Sequence, residues 1–188
     1  MLALARAIAE IADKLWICAP DRERSAISHA LTMGLPLRAE KTAFRGIEAE
    51  AWSVSGTPSD CVKLALEELL PERPDIVLSG INRGPNLGTD VIYSGTVAAA
   101  AEGAFAGIPA IAISTGSYDP SDYEPAARVA AKLASQVATR GLPDGVVLNV
   151  NVPDGFNSGK VAVTRLGVQR YNNIFERRVD PRGRPYYW

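Results

Sequence analysis

Apolar positions along this chain switch repeatedly between two periods. Residues 1–13 carry them at positions 1, 4, 5, 8, 11 and 12, the spacing of one helix face. Residues 15–19 are a short apolar run stopping at Pro20, which predicts a buried strand. Helical spacing returns over 58–70. There Thr57 offers an N-cap, Pro58 suits the first helical position and Asp60 completes a Thr-x-x-Asp capping pattern. The pattern then predicts a strand over 75–79 ended by Gly80, and an Ala-rich helix over 94–106 stopped by Gly107. A strand over 110–114 and a helix over 123–138 follow, then strands over 146–150 and 160–164. Residues 21–53 are irregular, with a hairpin or meander expected over 30–52, and 180–185 read as a turn leading into Tyr186, Tyr187 and Trp188. Short strands alternating with helices predict an α/β sandwich with a mostly parallel sheet.

Composition narrows the classes. Apolar residues make up 47% of the 188, and 20 Lys and Arg balance 21 Asp and Glu. This is ordinary globular material for one domain with a continuous core. The net charge of -1 excludes a globally basic nucleic-acid binder. Two cysteines and one histidine exclude a disulfide framework, an all-Cys zinc site and a cluster of His ligands within one subunit. The longest apolar stretch, 97–113, is interrupted by Glu102 and Pro109, whereas a membrane-spanning helix needs roughly 20 mostly apolar residues. Reduced thiols and the absence of a signal-peptide pattern point to the cytoplasm.

In open α/β sheets ligands bind at the carboxyl ends of the parallel strands. The loop from Gly80 to Tyr93 is long for a strand-to-helix connection. It carries Asn82, Asn86 and Asp90 and ends in Ser94-Gly95-Thr96 at a helix start. Free N–H groups and the positive end of a helix dipole suit an anion there. A simple cap by Ser94 or Thr96 explains the same residues equally well. The stretch is neither a P-loop nor a dinucleotide fingerprint. Ser25 and Asn82 both follow strands, and their neutral oxygens suit Mg²⁺ or Mn²⁺ only if carboxylates join them. Taken alone, a turn residue and a side-chain-to-backbone bond account for them better. Arg22 and Arg24 read as solvated residues or as an anion clamp, His29 as incidental or as an acid–base group. Cys61, on a helix's first turn, reads as a packed core thiol. A serine hydrolase using Ser55 or Ser94 is disfavoured, because His29 is the one candidate base and no Gly-x-Ser-x-Gly elbow occurs.

Taken together, Ala19-Pro20-Asp21-Arg22-Glu23-Arg24-Ser25, Gly56-Thr57-Pro58-Ser59-Asp60-Cys61, and Pro74 through Asn86 resemble the survival protein SurE family of metal-dependent nucleotidases. Tyr93-Ser94-Gly95-Thr96-Val97, Asn149-Val150-Asn151-Val152-Pro153 and Asp180-Pro181-Arg182-Gly183 extend the resemblance, in order, over nearly the whole chain. The resemblance implies a Rossmann-like three-layer sandwich with a C-terminal hairpin used in homodimers or homotetramers. It implies a phosphohydrolase of nucleoside 5′- and 3′-monophosphates, extending to short polyphosphate, with a divalent cation, Mg²⁺ or Mn²⁺. Ser25 and Asn82 would be metal ligands, and Ser94, Gly95 and Thr96 would hold the phosphate. The family's strand ending in Asn-Asp-Asp-Gly, whose aspartates ligate the metal, has no counterpart in residues 1–188. A single domain lacking that first strand and a C-terminal tail is therefore expected, with two strand edges unpaired, a hole in the core, and weak metal binding and hydrolysis. A nucleotide- or phosphate-binding module without catalysis is the alternative.

Overall fold

The computed structural model describes residues 1–44, 46–120, 122–157, 159–171 and 175–188. Its strands and helices alternate as the periodicity requires. Helix α1 (Leu2–Ala9) leads to β1 (Trp16–Pro20), β2 (Ala39–Thr42) and β3 (Glu50–Val54), then to α2 (Pro58–Leu64), which continues as a π-helical turn, Ala65–Leu69. Next come β4 (Val77–Asn82), α3 (Asp90–Tyr93), α4 (Gly95–Phe105), β5 (Ala110–Thr115), α5 (Glu124–Arg140) and β6 (Val147–Val152). A hairpin, β7 (Arg177–Val179) and β8 (Pro185–Tyr187), closes the order.

β1 pairs parallel with β3, and β2 antiparallel with β3; β4, β5 and β6 form a parallel set. Central strand β5 shows why the layers stack. Its Ile111 and Ile113 pack on α5 through Ala126, Ala127, Ala130, Ala134 and Val137, together with Leu4 and Ile8 of α1. Its alternate residues, Ala110 and Ala112, meet Ala100 and Ala104 of α4. The same alternation governs β1 and β3: Ile17 and Ala51 face Ala5 of α1, whereas Cys18, Trp52 and Val54 cluster with Cys61 of α2. The result is three layers, with α1 and α5 on one face and α2 and α4 on the other. No helix among the described residues is long and apolar enough to cross a membrane.

Among the described residues, β1 and β4 do not pair with each other. A cavity of about 1250 Å³ is lined by both of them and by residues of α1, α2, α4 and α5, including Leu4, Ile8, Cys61, Ala99 and Ala134. It continues to the carboxyl ends of the strands, where Ser25 and Asn82 line it.

Three expectations need correction. Residues 160–164 form no strand: Val161 and Val163 are 71% and 101% exposed, so their alternation has no layer to bury against. The helix expected over 58–70 is α-helical only to Leu64 before it widens. Strand β4 runs three residues beyond the predicted 79, so Asn82 is its last residue rather than part of the following loop.

Candidate functional site

The extension of β4 is what aims Asn82. The β4–β5 register shifts between Ser79 and Asn82, an irregularity of the kind that redirects a side chain. Gly80 permits it: its φ is +143°, and a Cβ there would lie 2.5 Å from the Ile113 carbonyl oxygen. Asn82 Nδ2 donates to the carbonyls of Gly84 (2.8 Å) and Arg83 (3.3 Å), which turns Oδ1 toward α4, where it accepts from Thr96 Oγ1 at 3.3 Å. Thr115 Oγ1, at the end of β5, lies 3.1 Å from the Asn82 carbonyl and accepts from the Gly84 N–H at 3.0 Å.

The loop beyond Asn82 is held by a buried polar hub. Asn86 is 6% exposed. Its N–H donates to Asn151 Oδ1 (2.7 Å) and its Nδ2 to Ser114 Oγ (2.8 Å), while its carbonyl accepts from Asn149 and Asn151. A satisfied buried network of this kind fixes one loop conformation. Asn149 and Asn151 sit two apart on β6 and so share a face, a spacing visible in the sequence once the loop they serve is known.

Ser94 is the N-cap of α4, and its Oγ accepts from Val97 N at 3.1 Å. The cap uses the oxygen as acceptor, so the hydroxyl proton stays free to donate. Capping and anion binding are therefore compatible at one residue. The first turn also carries unsatisfied N–H groups, and Ser94, Gly95 and Thr96 all line the cavity.

Ser25 is exposed and lines the same cavity, five residues after β1 ends. Its loop is pinned to α3 and to the middle of α4 by several bonds. The Ser28 N–H donates to the Tyr93 carbonyl (3.0 Å), Ser28 Oγ to the Ile92 carbonyl (2.8 Å), and His29 Nε2 lies 2.6 Å from Glu102 Oε1. The His29 ring also stacks on Phe105. Ala26 and Ser28 adopt φ of 53° and 57°, a conformation that costs free energy in a non-glycine residue and is held by its surroundings. The sequence alone favours an incidental His29; its partner lies 73 residues away on α4, which no local pattern reveals.

The remaining candidates sort by their partners. Asp21 pairs with Arg22 and Arg24, and Asp90 accepts the Tyr171 hydroxyl. Cys61 is 1% exposed, and its hydrogen bond with Cys18 together with burial pushes its thiol up, as suits a packed thiol rather than a nucleophile. Ser25 and Asn82 offer two neutral oxygens. No group of three or more His, Cys, Asp or Glu side chains placed to hold a metal exists among the described residues. A divalent cation takes six or more oxygens, carboxylates among them, so this donor pair does not by itself fit one.

Comparison with known proteins fits this geometry. The family model described as survival protein SurE matches residues 1–173. A protein named 5′-nucleotidase SurE from Pelotomaculum thermopropionicum is 54% identical over 183 residues, covering 97% of this chain and 70% of its own length. Another of that name from Prochlorococcus marinus is 50% identical, covering 98% of this chain and 70% of its own. The crystal structure of the SurE protein from Aquifex aeolicus superposes with a TM-score of 0.81 at 38% identity, over 99% of this chain and 74% of that one. With the family model matching residues 1–173 and relatives identical at about half of the aligned positions, the chain belongs to the SurE family.

Proposed function

We propose that this chain is a 5′-nucleotidase whose phosphoryl group binds at the start of α4, on Ser94, Gly95 and Thr96. The observation that carries the reading is the Thr96–Asn82 contact of 3.3 Å. It brings a helix N-terminus with free donors and the last residue of β4 to one rim of the cavity, which Ser25 also lines. An anion there meets backbone N–H groups, the positive end of the helix dipole and two hydroxyls. None of these groups reads the ester position. The proposal therefore extends to nucleoside 3′-monophosphates and short polyphosphate.

Mg²⁺ or Mn²⁺ would polarise the phosphoryl oxygens when bound, with Ser25 and Asn82 among its ligands. Because these are two neutral oxygens, the chain holds the cation weakly and turns over slowly. The chain's own residues bind and orient the phosphate: Ser94 and Thr96 donate hydroxyl protons, Asn82 sets the position of Thr96, and the Ser25 loop closes the rim. The same donor set favours a second reading, a nucleotide-binding module without catalysis. The β7–β8 hairpin and its flanks expose Phe175, Tyr187 and Trp188 at 77%, 61% and 72%, which supports a subunit contact in a homodimer or homotetramer.

The test is phosphate release from adenosine 5′- and 3′-monophosphates with Mn²⁺ or chelator, beside equilibrium binding of inorganic phosphate. Slow, metal-stimulated release abolished by Asn82→Ala supports the nucleotidase. Binding without release selects the second reading. Neither binding nor release refutes both, and full turnover refutes weak cation binding.

A further inference from the structure

Beside the proposed phosphate cradle, the cavity is lined by three of the chain's six tyrosines, Tyr93, Tyr118 and Tyr171. They are 59%, 68% and 53% exposed, and none belongs to the four apolar clusters of the core. Each is nevertheless held in place. Tyr93 is joined to Ser94, and its carbonyl anchors Ser28. The Tyr118 ring lies directly over Gly84, where an added Cβ would come within 2.4 Å of it. Tyr171 arrives on an irregular segment bound to the site loop by Thr89 Oγ1, which donates to the Gln169 carbonyl at 2.8 Å, and its own hydroxyl donates to Asp90. That bond to Asp90, foremost, pushes the phenol up to about 12, so the ring stays neutral at physiological pH.

Ligand sites combine a few placed polar groups with aromatic walls, and aromatic rings left exposed but fixed in a cavity mouth have no structural partner to satisfy. We propose that Tyr93, Tyr118 and Tyr171 form a stacking platform for the nucleobase of a nucleotide whose phosphate lies at Ser94–Thr96. The position of the far end rests on the phosphate reading above; the platform itself does not. Every base presents a π-face, so stacking tolerates any base, and the larger purines gain more contact than pyrimidines.

The experiment titrates the full chain with AMP, ribose 5-phosphate and adenosine, the last followed by saturation transfer from the tyrosine rings. AMP is expected to bind about tenfold more tightly than ribose 5-phosphate. Tyr118→Ala and Tyr171→Ala each shrink that ratio and leave ribose 5-phosphate affinity unchanged, whereas Tyr118→Phe keeps it. Equal affinity for AMP and ribose 5-phosphate in the unaltered chain, or a ratio that survives both alanine variants, overturns the platform. If ribose 5-phosphate and inorganic phosphate fail to bind, the phosphate reading has failed. Adenosine then decides the platform alone: transfer that disappears in Tyr118→Ala supports it, and no transfer overturns it.

Discussion

Thr96 Oγ1 donates to Asn82 Oδ1 across 3.3 Å, joining the first turn of α4 to the last residue of β4. The bond is long for an O–H donor, so an arriving acceptor with better geometry takes the Thr96 proton at little cost. Thr96→Val keeps the shape and removes the donor. It is expected to weaken binding of inorganic phosphate severalfold while moving unfolding stability by less than about 1 kcal/mol. Calorimetric titration and urea unfolding on the same preparation check both halves.

Ser94 combines capping and anion binding, and Ser94→Asp separates them. Aspartate caps as well as serine and favours the positive end of the helix dipole, so urea unfolding should match the unaltered chain. Its charge opposes a phosphate, so phosphate binding should vanish. Ser94→Ala should instead lower stability by about 1 kcal/mol. Binding that survives in the Asp variant would mean that the anion sits elsewhere.

What the sequence revealed and what it concealed divide along a physical line. The order of strands and helices was legible because burial follows the period of each element: the apolar run 110–114 marks a buried strand, and the structure then sends Ile111 and Ile113 to one layer and Ala110 and Ala112 to the other. The capping box at Thr57 and Asp60 was legible because its partners lie three residues apart. The irregularity that aims Asn82 was not, since it depends on how Gly80 meets Ile113 on the neighbouring strand. Nor was the His29–Glu102 contact, which exists only after two loops and a helix have docked. The strand expected over 160–164 failed for a related reason, because alternation marks a strand only where a partner exists. The resemblance to a family supplied the site residues, since spacing alone left each with an ordinary structural reading.

The His29–Glu102 contact predicts an asymmetric pair of mutants. The Glu102 side chain is 10% exposed, and His29 is its close partner at 2.6 Å. His29→Ala strands a buried carboxylate and should cost about 2–3 kcal/mol. Glu102→Gln keeps an acceptor for the imidazole and should cost less. Because His29 also ties the Ser25 loop to α4, protease cleavage within residues 21–30 should accelerate in His29→Ala and not in Glu102→Gln. Equal cleavage rates in both variants would sink the clasp.

Asp60 gives a pH dependence with a definite sign. Burial pushes its carboxyl up, but hydrogen bonds from Thr32 and Thr57 outweigh it and hold the group below the usual range. A lowered folded value means that the stabilisation is fully present above the unfolded value, near 4, and is lost as pH falls through the folded one. Asp60→Asn should therefore destabilise by about 1–2 kcal/mol at pH 7, with the difference shrinking as the pH drops below about 4. Urea unfolding at pH 7 and at successively lower pH measures it. A difference that stays constant with pH assigns the effect to packing instead.

The separation of α4 from β4 is set by Gly103, where an added Cβ would lie 2.8 Å from the Val77 side chain. Gly103→Ala therefore pushes the helix off the strand and should cost about 1–3 kcal/mol through overpacking. The same displacement carries Ser94 and Thr96 away from Asn82, so phosphate affinity should fall although Gly103 lies two turns from the cradle. Val77→Gly vacates all three crowding carbons, the Cβ as well as the two methyl groups. Combining the two substitutions should recover phosphate affinity more fully than stability, because the packing lost with the valine methyls is not regained. If phosphate binding is unchanged in Gly103→Ala, or stays weak in the double variant, the distance between α4 and β4 does not govern the site.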